Sequence, residues 1–329
     1  MTLELNPLIL ATALLLALAI DDYLGEPATR WHPVVWIGNY LGWAGRRVAP
    51  VTSSDQPDYK AFSLAALMWC AGAAMVCIAA WFLQRGLMRL PEVLGPVAGT
   101  VLAALLLGVA LKPMLAWAML RREALAVEAA LTESLPAGRE RLRWLVSRDV
   151  TQLTEAQVRE SAIETLAENL NDSVVAPIFW FVLLGLPGAA LYRFANTADA
   201  MWGYPGQYQG RYWAWAGKWA ARADDVLSWL PARITAVLLA AVAGGLSMAQ
   251  LRREARRTPS PNSGWPMAAM ALALGVSLHK PGVYGLNDAG REPQALDLSC
   301  AISYASKALL SLVVIAQAAI YLIATGGAS

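Results

Sequence analysis

The chain has 329 residues, of which 57% are hydrophobic and only 15% are charged, and its formal net charge is +2. Soluble domains carry about 25% charged residues, so this composition excludes an ordinary soluble protein and favours an integral membrane protein. The small net charge also argues against nucleic-acid binding and against an acidic tail. Three cysteines without a CxxC pair and two distant histidines give no support to a cysteine- or histidine-rich metal site.

Strongly apolar segments predict membrane helices. They are residues 5–20, 61–83, 94–120, 265–279 and 308–324. Segment 61–83 contains no charge and is long enough to cross about 30 Å of hydrocarbon. The first segment lacks a basic start and is followed by Asp21 and Asp22, so we interpret it as a retained helix and not as a cleaved signal peptide. Lys112 is the only charge that interrupts a long span.

Two further apolar segments, 174–192 and 234–248, contain glycine or proline and are predicted to be re-entrant or interfacial. Basic residues near segment ends favour the cytoplasmic side, and simple alternation of spans would then place residues 193–233 outside, away from their acidic partners. The preferred arrangement keeps the polar residues together: it has five full spans and places residues 121–264 in the cytoplasm. The predicted fold class is an all-α polytopic integral membrane protein with about five transmembrane helices and a large polar helical region. Residues 1–329 are expected to form one membrane domain, with 121–233 as its polar catalytic region.

The polar region contains a well-marked helix. Thr154 and Gln157 have the spacing of a capping box, in which each side chain bonds the other residue's backbone N–H. The helix is predicted to run to about Leu170, where Asn171 and Asp172 favour a stop.

An acidic stripe follows this helix, because Glu160, Glu164 and Glu168 recur every four residues. A solvated helix face would explain it. Like charges one turn apart repel, however, by a few tenths of a kcal/mol, and a cationic ligand would relieve that repulsion. Asn169 and Asp172 add oxygen atoms of the kind that Mg²⁺ binds, although capping of the helix end is an alternative.

Other polar residues have two interpretations each. Asn196 and Asp199 in the string NTADAMWGY are predicted to lie in a polar turn, as capping groups or as ligands. Arg222 and Asp225 are three residues apart and could form a local helix pair, and Arg233 could extend to the membrane interface. Asp22 ends the first helix, where an acid opposes the helix dipole, and this placement hints at function.

Tryptophans also cluster in the later polar strings. They are Trp202, Trp213, Trp215, Trp219 and Trp229. An aromatic belt at the lipid interface is the default interpretation, and a surface that stacks on a flat macrocycle is the alternative. The sequence contains no GxxxxGK[ST] loop, no GxGxxG fingerprint and no GxSxG elbow. The residues alone therefore predict an anionic-substrate site with carboxylates able to hold Mg²⁺, without naming a reaction.

Several strings together resemble one protein family. They are DDYLGEP…HPVVWIG, SRDVTQL, IETLAENLNDSVVAPIFW, GLPGAALYRFANTADAMWGY, WAARADDVLSWLPARITA and SPNSGWPMAAMALALGV. This set, from about Ala19 to about Tyr284, resembles the adenosylcobinamide-phosphate synthases of cobalamin biosynthesis, the CobD/CbiB membrane proteins. The combination of ETLAENLND, NTADAMWGY and ARADD…PAR carries most of the specificity.

The resemblance implies an amide ligase of the bacterial inner membrane that uses ATP and Mg²⁺ and works on the cytoplasmic side. Its expected substrates are adenosylcobyric acid, through a propionate carboxylate, and aminopropanol or its phosphate. The lipid bilayer and other enzymes of the pathway are the expected partners, and nucleic acid is not. A polytopic transporter and a non-catalytic sensor descended from the family are the alternatives.

The resemblance also suggests roles for residues. Glu168 and Asp172 are expected to hold Mg²⁺ with help from Asn169, and Glu164 to orient or deprotonate the amine. The other expected catalytic residues are Asp199, Asp224 and Asp225, as metal ligands or amine binders. The expected substrate-binding residues are Asp22, His32, Arg148, Asp149, Asn169, Arg193, Asn196, Lys218, Arg222 and Arg233.

The chain departs from the family pattern at two places. Many members carry a serine where Ala200 stands, and many carry a second glycine after a late Tyr-Gly, where this chain has Leu286. Any role of the missing hydroxyl is therefore absent here.

Overall fold

A computed structural model describes residues 6–52, 56–146 and 148–326. Its α-helices are α1 (Pro7–Leu24), α2 (Pro33–Val48), α3 (Tyr59–Met88), α4 (Leu90–Leu94), α5 (Pro96–Leu111), α6 (Trp117–Glu133), α7 (Leu135–Leu142), α8 (Glu155–Leu170), α9 (Ala176–Leu184), α10 (Leu186–Trp202), α11 (Lys218–Val242), α12 (Met248–Ala255), α13 (Gly264–Leu274) and α14 (Ala295–Gly326). Two short antiparallel hairpins pair β1 (Gln207–Tyr208) with β2 (Arg211–Tyr212) and β3 (Leu278–Lys280) with β4 (Tyr284–Leu286). The predicted all-α class is confirmed.

Five helical stretches are long and apolar enough to cross a membrane. They are Pro7–Leu24, Tyr59–Leu94, Pro96–Glu133, Lys218–Val242 and Ala295–Ala324. The predicted number is confirmed, and the protein is a multi-pass membrane protein.

The set of spans differs from the prediction at two places. Segment 265–279 is not a full span, because α13 ends at Leu274 where Gly275 adopts a left-handed φ of 67°. Residues 234–242 are not a separate short piece either, since they continue the 25-residue helix α11. The expectation that Lys112 is the only charge within a long span is also wrong. Helix α11 begins with Lys218 and includes Arg222 and Arg233.

The chain divides into two compact units. Unit 1 contains the described residues within 1–115, 176–227 and 316–329, and unit 2 contains those within 116–175 and 228–315. A buried aromatic cluster holds unit 1: Trp69 meets Phe194 edge-on at 5.6 Å, and Trp202 stacks on Trp213 at 5.8 Å. Trp202 also donates from Nε1 to the Leu41 carbonyl at 3.2 Å. These two tryptophans are therefore core residues, and neither the aromatic-belt nor the macrocycle interpretation applies to them.

Unit 2 is built around α8, which contacts α6, α7, α13 and β3. Its apolar side is fully buried through Val158, Ile163 and Leu166. On its other flank Arg159 forms a bidentate ion pair with Glu128 of α6 at 2.9 Å. These contacts fix α8 along its length and so position the side chains that it carries.

Candidate active site

The capping box predicted at the start of α8 is present. Thr154 Oγ1 accepts from the Gln157 backbone N–H at 3.3 Å, and Gln157 Oε1 accepts from the Thr154 N–H at 2.9 Å. The acidic stripe follows, but it does not face solvent: Glu160 is 4% exposed and Glu164 is 5% exposed. The solvated-face interpretation is therefore wrong for these two residues. Burying a carboxylate is costly unless it is paired, so its partners matter.

Glu164 is paired with Arg148, which lies in the loop after α7. Arg148 Nη2 donates to Glu164 Oε2 at 2.9 Å and to the Ser161 hydroxyl at 2.5 Å. The other two donor nitrogens, Nε and Nη1, are buried without a hydrogen-bond partner among the described residues. Buried donors of this kind are rare in folded proteins, so Arg148 retains hydrogen-bonding capacity for an anion next to a buried carboxylate.

The β3–β4 hairpin contacts Glu160. Glu160 Oε2 accepts from the His279 backbone N–H at 3.1 Å, and Glu160 Oε1 lies 3.4 Å from His279 Nδ1. The other ring nitrogen, Nε2, lies 3.3 Å from Asp288 Oδ1. Arg257 then donates to Asp288 and to the Gly285 carbonyl. A chain of polar contacts thus connects the hairpin to α8.

Burial dominates the electrostatics of the two glutamates. It raises the pKa of Glu164 above its ordinary value, although Arg148, the Tyr284 hydroxyl and Lys280 act in the opposite direction. Burial likewise raises the pKa of Glu160 against the opposing effect of His279. The pKa of the Tyr284 phenol is also raised, first by burial and then by the charges of Glu164 and Glu168. Carboxyl groups with raised pKa values are suited to accepting and returning protons.

At its C-terminal end α8 stops at Leu170 as predicted, but no loop follows. The chain continues through a π-helical turn, Asn171–Val175. Within unit 2, buried Asn171 donates from Nδ2 to Asp172 Oδ1 at 2.7 Å and accepts from the Thr235 hydroxyl at 3.1 Å. Such single π-turns are frequent at functional sites, and here the turn fixes the carboxylate of Asp172.

Glu168, Asn169 and Asp172 are partly exposed at this end of α8. Asn169 Nδ2 donates to the Thr165 carbonyl at 3.0 Å, which leaves the side-chain oxygen as the group able to bind a ligand. Oxygen donors fit Mg²⁺, which usually takes one or two carboxylates together with phosphates and water. Among the described residues no group of three or more Asp, Glu, His or Cys side chains is close enough to hold a metal by itself.

Three predicted site residues lie on α10 in unit 1. They are Arg193, Asn196 and Asp199, all partly exposed. The prediction of a polar turn is wrong here, because NTADAMW belongs to α10, which continues to Trp202. Packing of Ala195, Ala198 and Trp202 in the buried cluster of unit 1 stabilises this part of α10. Spacings of three residues place the polar side chains near one another on α10.

The first turns of α11 carry the other predicted residues of unit 1. Lys218 Nζ lies over the Trp215 ring, 3.2 Å from its centroid. Arg222 is exposed, and Asp224 and Asp225 are partly exposed. Polar residues inside a candidate span are costly and often functional, so this end of α11 is the second polar concentration of the chain.

Two predicted substrate-binding residues in unit 2 have structural contacts. Arg233 donates to Asn262 Oδ1 at 2.7 Å and to the Pro261 carbonyl at 3.1 Å, and its guanidinium lies over the rings of Trp229 and Trp265. These contacts favour a role in holding the loop before α13.

Asp149, the other such residue, is exposed beside Arg148. Its Oδ1 accepts from the Thr151 backbone N–H at 2.9 Å, and this bond lowers the pKa of the carboxyl. The side chain thereby fixes the turn that follows Arg148.

The predicted residues near the end of α1 belong to unit 1. Asp22 is exposed, whereas Asp21 is buried and forms an ion pair with Lys112. His32 Nε2 lies 3.0 Å from Glu26 Oε2, the oxygen that also binds Lys112 Nζ at 2.7 Å. His32 is therefore part of a buried ionic network.

Comparisons with known proteins agree with this architecture. The family model described as CobD/Cbib protein matches residues 14–309. The chain belongs to the CobD/CbiB family. A relative from Methanothermobacter thermautotrophicus, named probable cobalamin biosynthesis protein CobD, is 41% identical over 84% of this chain and 86% of its own length.

Two further relatives are named cobalamin biosynthesis protein CobD. The protein from Chromobacterium violaceum is 41% identical over 80% of this chain and 79% of its own length. The protein from Brucella suis is 34% identical over 87% of this chain and 90% of its own length. No solved structure shows significant similarity to the chain.

The two departures from the CobD/CbiB pattern have different surroundings. Ala200 is exposed on α10, whereas Leu286 is fully buried in unit 2. The glycine that precedes it, Gly285, leaves room for two neighbouring side chains. A Cβ at Gly285 would lie 2.4 Å from Asp288 Oδ1 and 2.9 Å from His279 Cδ2. The glycine thus permits the close approach of His279 and Asp288.

The sequence analysis missed the site residues on the β3–β4 hairpin. His279, Lys280 and Tyr284 all act on the α8 carboxylates, yet they lie more than a hundred positions away along the chain. One signal was available, because Gly275 is suited to end a helix in a left-handed conformation. It would have separated the polar string after Gly275 from the apolar segment before it.

Proposed function

We propose that this family member is a membrane enzyme of cobalamin biosynthesis that forms an amide bond at the expense of ATP. The reaction joins a propionate carboxylate of adenosylcobyric acid to the amine of aminopropanol or its phosphate. Family membership and the names of the curated relatives support the pathway. The chemistry of the α8 side chains supports the reaction class.

The pair formed by Arg148 and Glu164 carries the proposal. Arg148 has two buried donors without a hydrogen-bond partner among the described residues, so it can bind a propionate or phosphate oxygen. Glu164 is a buried carboxylate whose raised pKa suits it to take a proton from an ammonium group. An anion-binding group and a proton acceptor, 2.9 Å apart, are what amide formation from a carboxylate and an amine requires.

The proposed reaction has an activation step and a bond-forming step. A carboxylate oxygen must first become a leaving group, which attack of that oxygen on ATP would accomplish, either by phosphoryl transfer with release of ADP or by adenylyl transfer with release of pyrophosphate. The amine nitrogen then attacks the activated carbonyl carbon, the C–N bond forms and the bond from carbon to the activated oxygen breaks. The released phosphate or AMP takes that oxygen and its electron pair, and Glu164 receives the proton lost by the amine.

Mg²⁺ fits the oxygen donors at the end of α8. Glu168 and Asp172 would hold it, with the Asn169 side-chain oxygen nearby. Bound there, the ion would neutralise charge on phosphate oxygens. Asn171, which bonds both Asp172 and Thr235, would orient the Asp172 carboxylate.

The decisive experiment uses purified protein in detergent with adenosylcobyric acid, the amine and Mg·ATP. We expect a product whose mass equals the acid plus the amine minus water.

Replacing Glu168 by Gln is expected to raise the Mg²⁺ concentration needed for half-maximal rate, with the size-exclusion profile unchanged. Failure of the wild-type protein to consume the amine would overturn the proposal, and an unchanged Mg²⁺ requirement would remove the metal role from Glu168.

A second candidate is a polytopic transporter, and the charged first turns of α11 favour it. Lys218, Arg222 and Asp225 lie in a helix long enough to cross a membrane, where ionisable groups often mark transport pathways. Proteoliposomes distinguish the two functions. A transporter would accumulate labelled corrinoid without consuming amine or ATP-derived phosphoryl groups, whereas the ligase would form the amide.

The localisation proposed with this function is the inner membrane, with the α8 site on the cytoplasmic side. ATP and the amine would then reach the site from the cytoplasm. Labelling of a single cysteine introduced at Arg143, an exposed residue of unit 2, tests the orientation. Labelling from the periplasmic side alone would contradict it.

A further inference from the structure

Unit 1 contains a cavity of about 760 Å³ that the proposed reaction does not use. Its walls are almost entirely apolar and come from α1, α2, α3, α5 and α10. Its size falls within the range of about 300–1,000 Å³ that is typical of small-ligand sites. Several wall residues, among them Met75 and Val109, are exposed on helices long enough to span a membrane. The cavity is therefore open to the hydrocarbon of a bilayer.

A buried ionic network lies in the cavity wall. Lys112 Nζ lies 3.2 Å from Asp21 Oδ1 and 2.7 Å from Glu26 Oε2, and Glu26 Oε2 also lies 3.0 Å from His32 Nε2. His32 Nδ1 accepts from the Val34 N–H at 3.2 Å, so Nε2 is the ring nitrogen that donates to Glu26. Two carboxylates and one ammonium leave the network with a charge of −1.

One oxygen of this network remains available. Glu26 Oε2 lies 2.7 Å from Lys112 Nζ and 3.0 Å from His32 Nε2, whereas Glu26 Oε1 is buried without a hydrogen-bond partner among the described residues. A buried acceptor at a negatively charged site calls for a cationic donor. The cavity therefore combines room for an alkyl chain with an acceptor for an ammonium group.

The cavity also has a membrane-interface rim. Trp31 and Trp36 line it and are largely exposed. The Arg30 guanidinium lies over the Trp31 ring at 5.7 Å, and the Arg30 carbonyl accepts from Trp36 Nε1 at 3.0 Å. Tryptophan and arginine at such a position are typical of the lipid headgroup region. The exposed Arg30 supplies a positive charge suited to a lipid phosphate.

We propose that this cavity binds phosphatidylethanolamine, with an acyl chain between the apolar walls, the ammonium group at Glu26 and the phosphate at Arg30. Phosphatidylcholine has the same charges and chains but no N–H donor. Its acyl chain can therefore fill the cavity, but its headgroup cannot donate a hydrogen bond to Glu26 Oε1. Phosphatidylglycerol lacks the cation. The three-carbon amine of the proposed reaction would leave most of the cavity empty.

Native mass spectrometry of the purified full-length protein in a maltoside detergent tests the proposal. With dioleoyl lipids titrated singly, we expect phosphatidylethanolamine to half-saturate the protein at about 10-fold lower concentration than phosphatidylcholine, the effect of about one hydrogen bond to a charged group. Glu26→Gln is expected to remove this preference. Equal binding of the two lipids by the wild-type protein would overturn the proposal.

A cavity-filling variant keeps the test independent of the ionic network. Ala79→Phe on α3 places a ring into the cavity and is expected to abolish the preference. Ala74→Phe adds the same ring to an exposed position of α3 outside the lining and is expected to preserve it. A preference that survives Ala79→Phe contradicts the assignment to this cavity.

A competition arm separates this site from the proposed ligase reaction. Millimolar aminopropanol is expected to leave bound phosphatidylethanolamine in place, and displacement of the lipid would overturn the proposal in favour of an amine-substrate site. The measurement uses no turnover, so its outcome does not depend on whether the ligase activity is present.

Discussion

The protein contains two buried ionic clusters that differ in the charge of their central group. In unit 1 the centre is a cation, since Lys112 binds the carboxylates of Asp21 and Glu26. In unit 2 the centre is a carboxylate, since Glu164 Oε2 accepts from Arg148 Nη2. The cluster of unit 1 is an ion pair shared by one cation and two acids. A carboxyl group with a raised pKa changes its charge more readily, and this distinguishes a cluster suited to hold structure from one suited to chemistry.

The partners of each cluster support the same distinction. Lys112 is 3% exposed in its side chain and lies between two acids, so removing it would leave buried charges without compensation. Arg148 Nε and Nη1 are buried without a hydrogen-bond partner among the described residues, so an anionic ligand can bind there. Incomplete pairing is costly to a fold, and it persists at positions where a ligand completes it. We therefore expect substitutions in the cluster around Glu164 to reduce activity and substitutions in the cluster around Lys112 to reduce stability.

The largest effect is expected for Glu164→Gln. The amide keeps the size of the side chain but cannot accept the amine proton, so turnover should fall by about 10²–10⁴-fold. The measurement is the rate of amide formation by purified protein. Glu155→Gln on the same helix is the matched control, because the Glu155 side chain is 56% exposed and pairs with Arg159 at the helix surface. A Glu164→Gln enzyme with more than about a tenth of the wild-type rate would lie outside this range and remove the proton-acceptor role.

Lys112→Met is expected to act on stability. The substitution leaves Asp21 and Glu26 without their shared cation, and breaking such a buried pair costs about 3–5 kcal/mol. Thermal unfolding in detergent should show a lower Tm, while the turnover per folded molecule stays near the wild-type value. The double variant Lys112→Met/Asp21→Asn should recover part of the loss, since it also removes an uncompensated charge. An unchanged Tm in the single variant would refute the structural role.

Sequence reasoning located the helix of the candidate site but not its surroundings. The capping box at Thr154, the end of α8 at Leu170 and the acidic stripe all follow from spacings within one helix, and such local patterns are readable from sequence. The π-turn after Leu170 was not readable, because it depends on the bond between Asn171 and Thr235, which lie 64 positions apart. Burial of Glu160 depends likewise on His279, which lies 119 positions away.

The errors in the predicted spans have a similar origin. Segment 234–248 was interpreted as a re-entrant or interfacial piece because it is short and contains Gly244-Gly245, yet its first residues continue α11, which passes through Pro231 without ending. Arg233 is accommodated by Asn262 and the rings of Trp229 and Trp265. Asn262 and Trp265 are distant from Arg233 along the chain, so the window around Arg233 could not reveal them.

Tyr284→Phe should have a smaller effect, which acts on the pKa of Glu164. The Tyr284 hydroxyl lowers the pKa of Glu164 against the raising effect of burial, so its removal should raise that pKa further. Activity requires the ionised carboxylate, and the acidic limb of the pH–rate profile should therefore move to higher pH by up to about 1 unit, the effect of about one hydrogen bond. The plateau rate at high pH should change little.

The free energy of unfolding should change with pH in the direction opposite to activity. A carboxyl whose pKa is raised on folding contributes stability that is present below its unfolded pKa and is lost as the pH rises through the folded pKa. Over the window in which activity rises, the free energy of unfolding should therefore fall. An acidic limb that stays in place in Tyr284→Phe, or moves to lower pH, would contradict the assignment of Glu164 as the titrating group.

The smallest effect is expected for His279→Asn. The backbone bond from residue 279 to Glu160 remains, and only the ring contacts with Glu160 and Asp288 are lost, so the free energy of unfolding should fall by about 1 kcal/mol. Hydrogen exchange should become faster across residues 278–286 while α8 retains its protection. Gly285→Ala should reproduce this pattern, because its Cβ would force Asp288 and His279 apart. Unchanged exchange in both variants would mean that these contacts do not hold the hairpin against α8, and Tyr284 would then need another anchor.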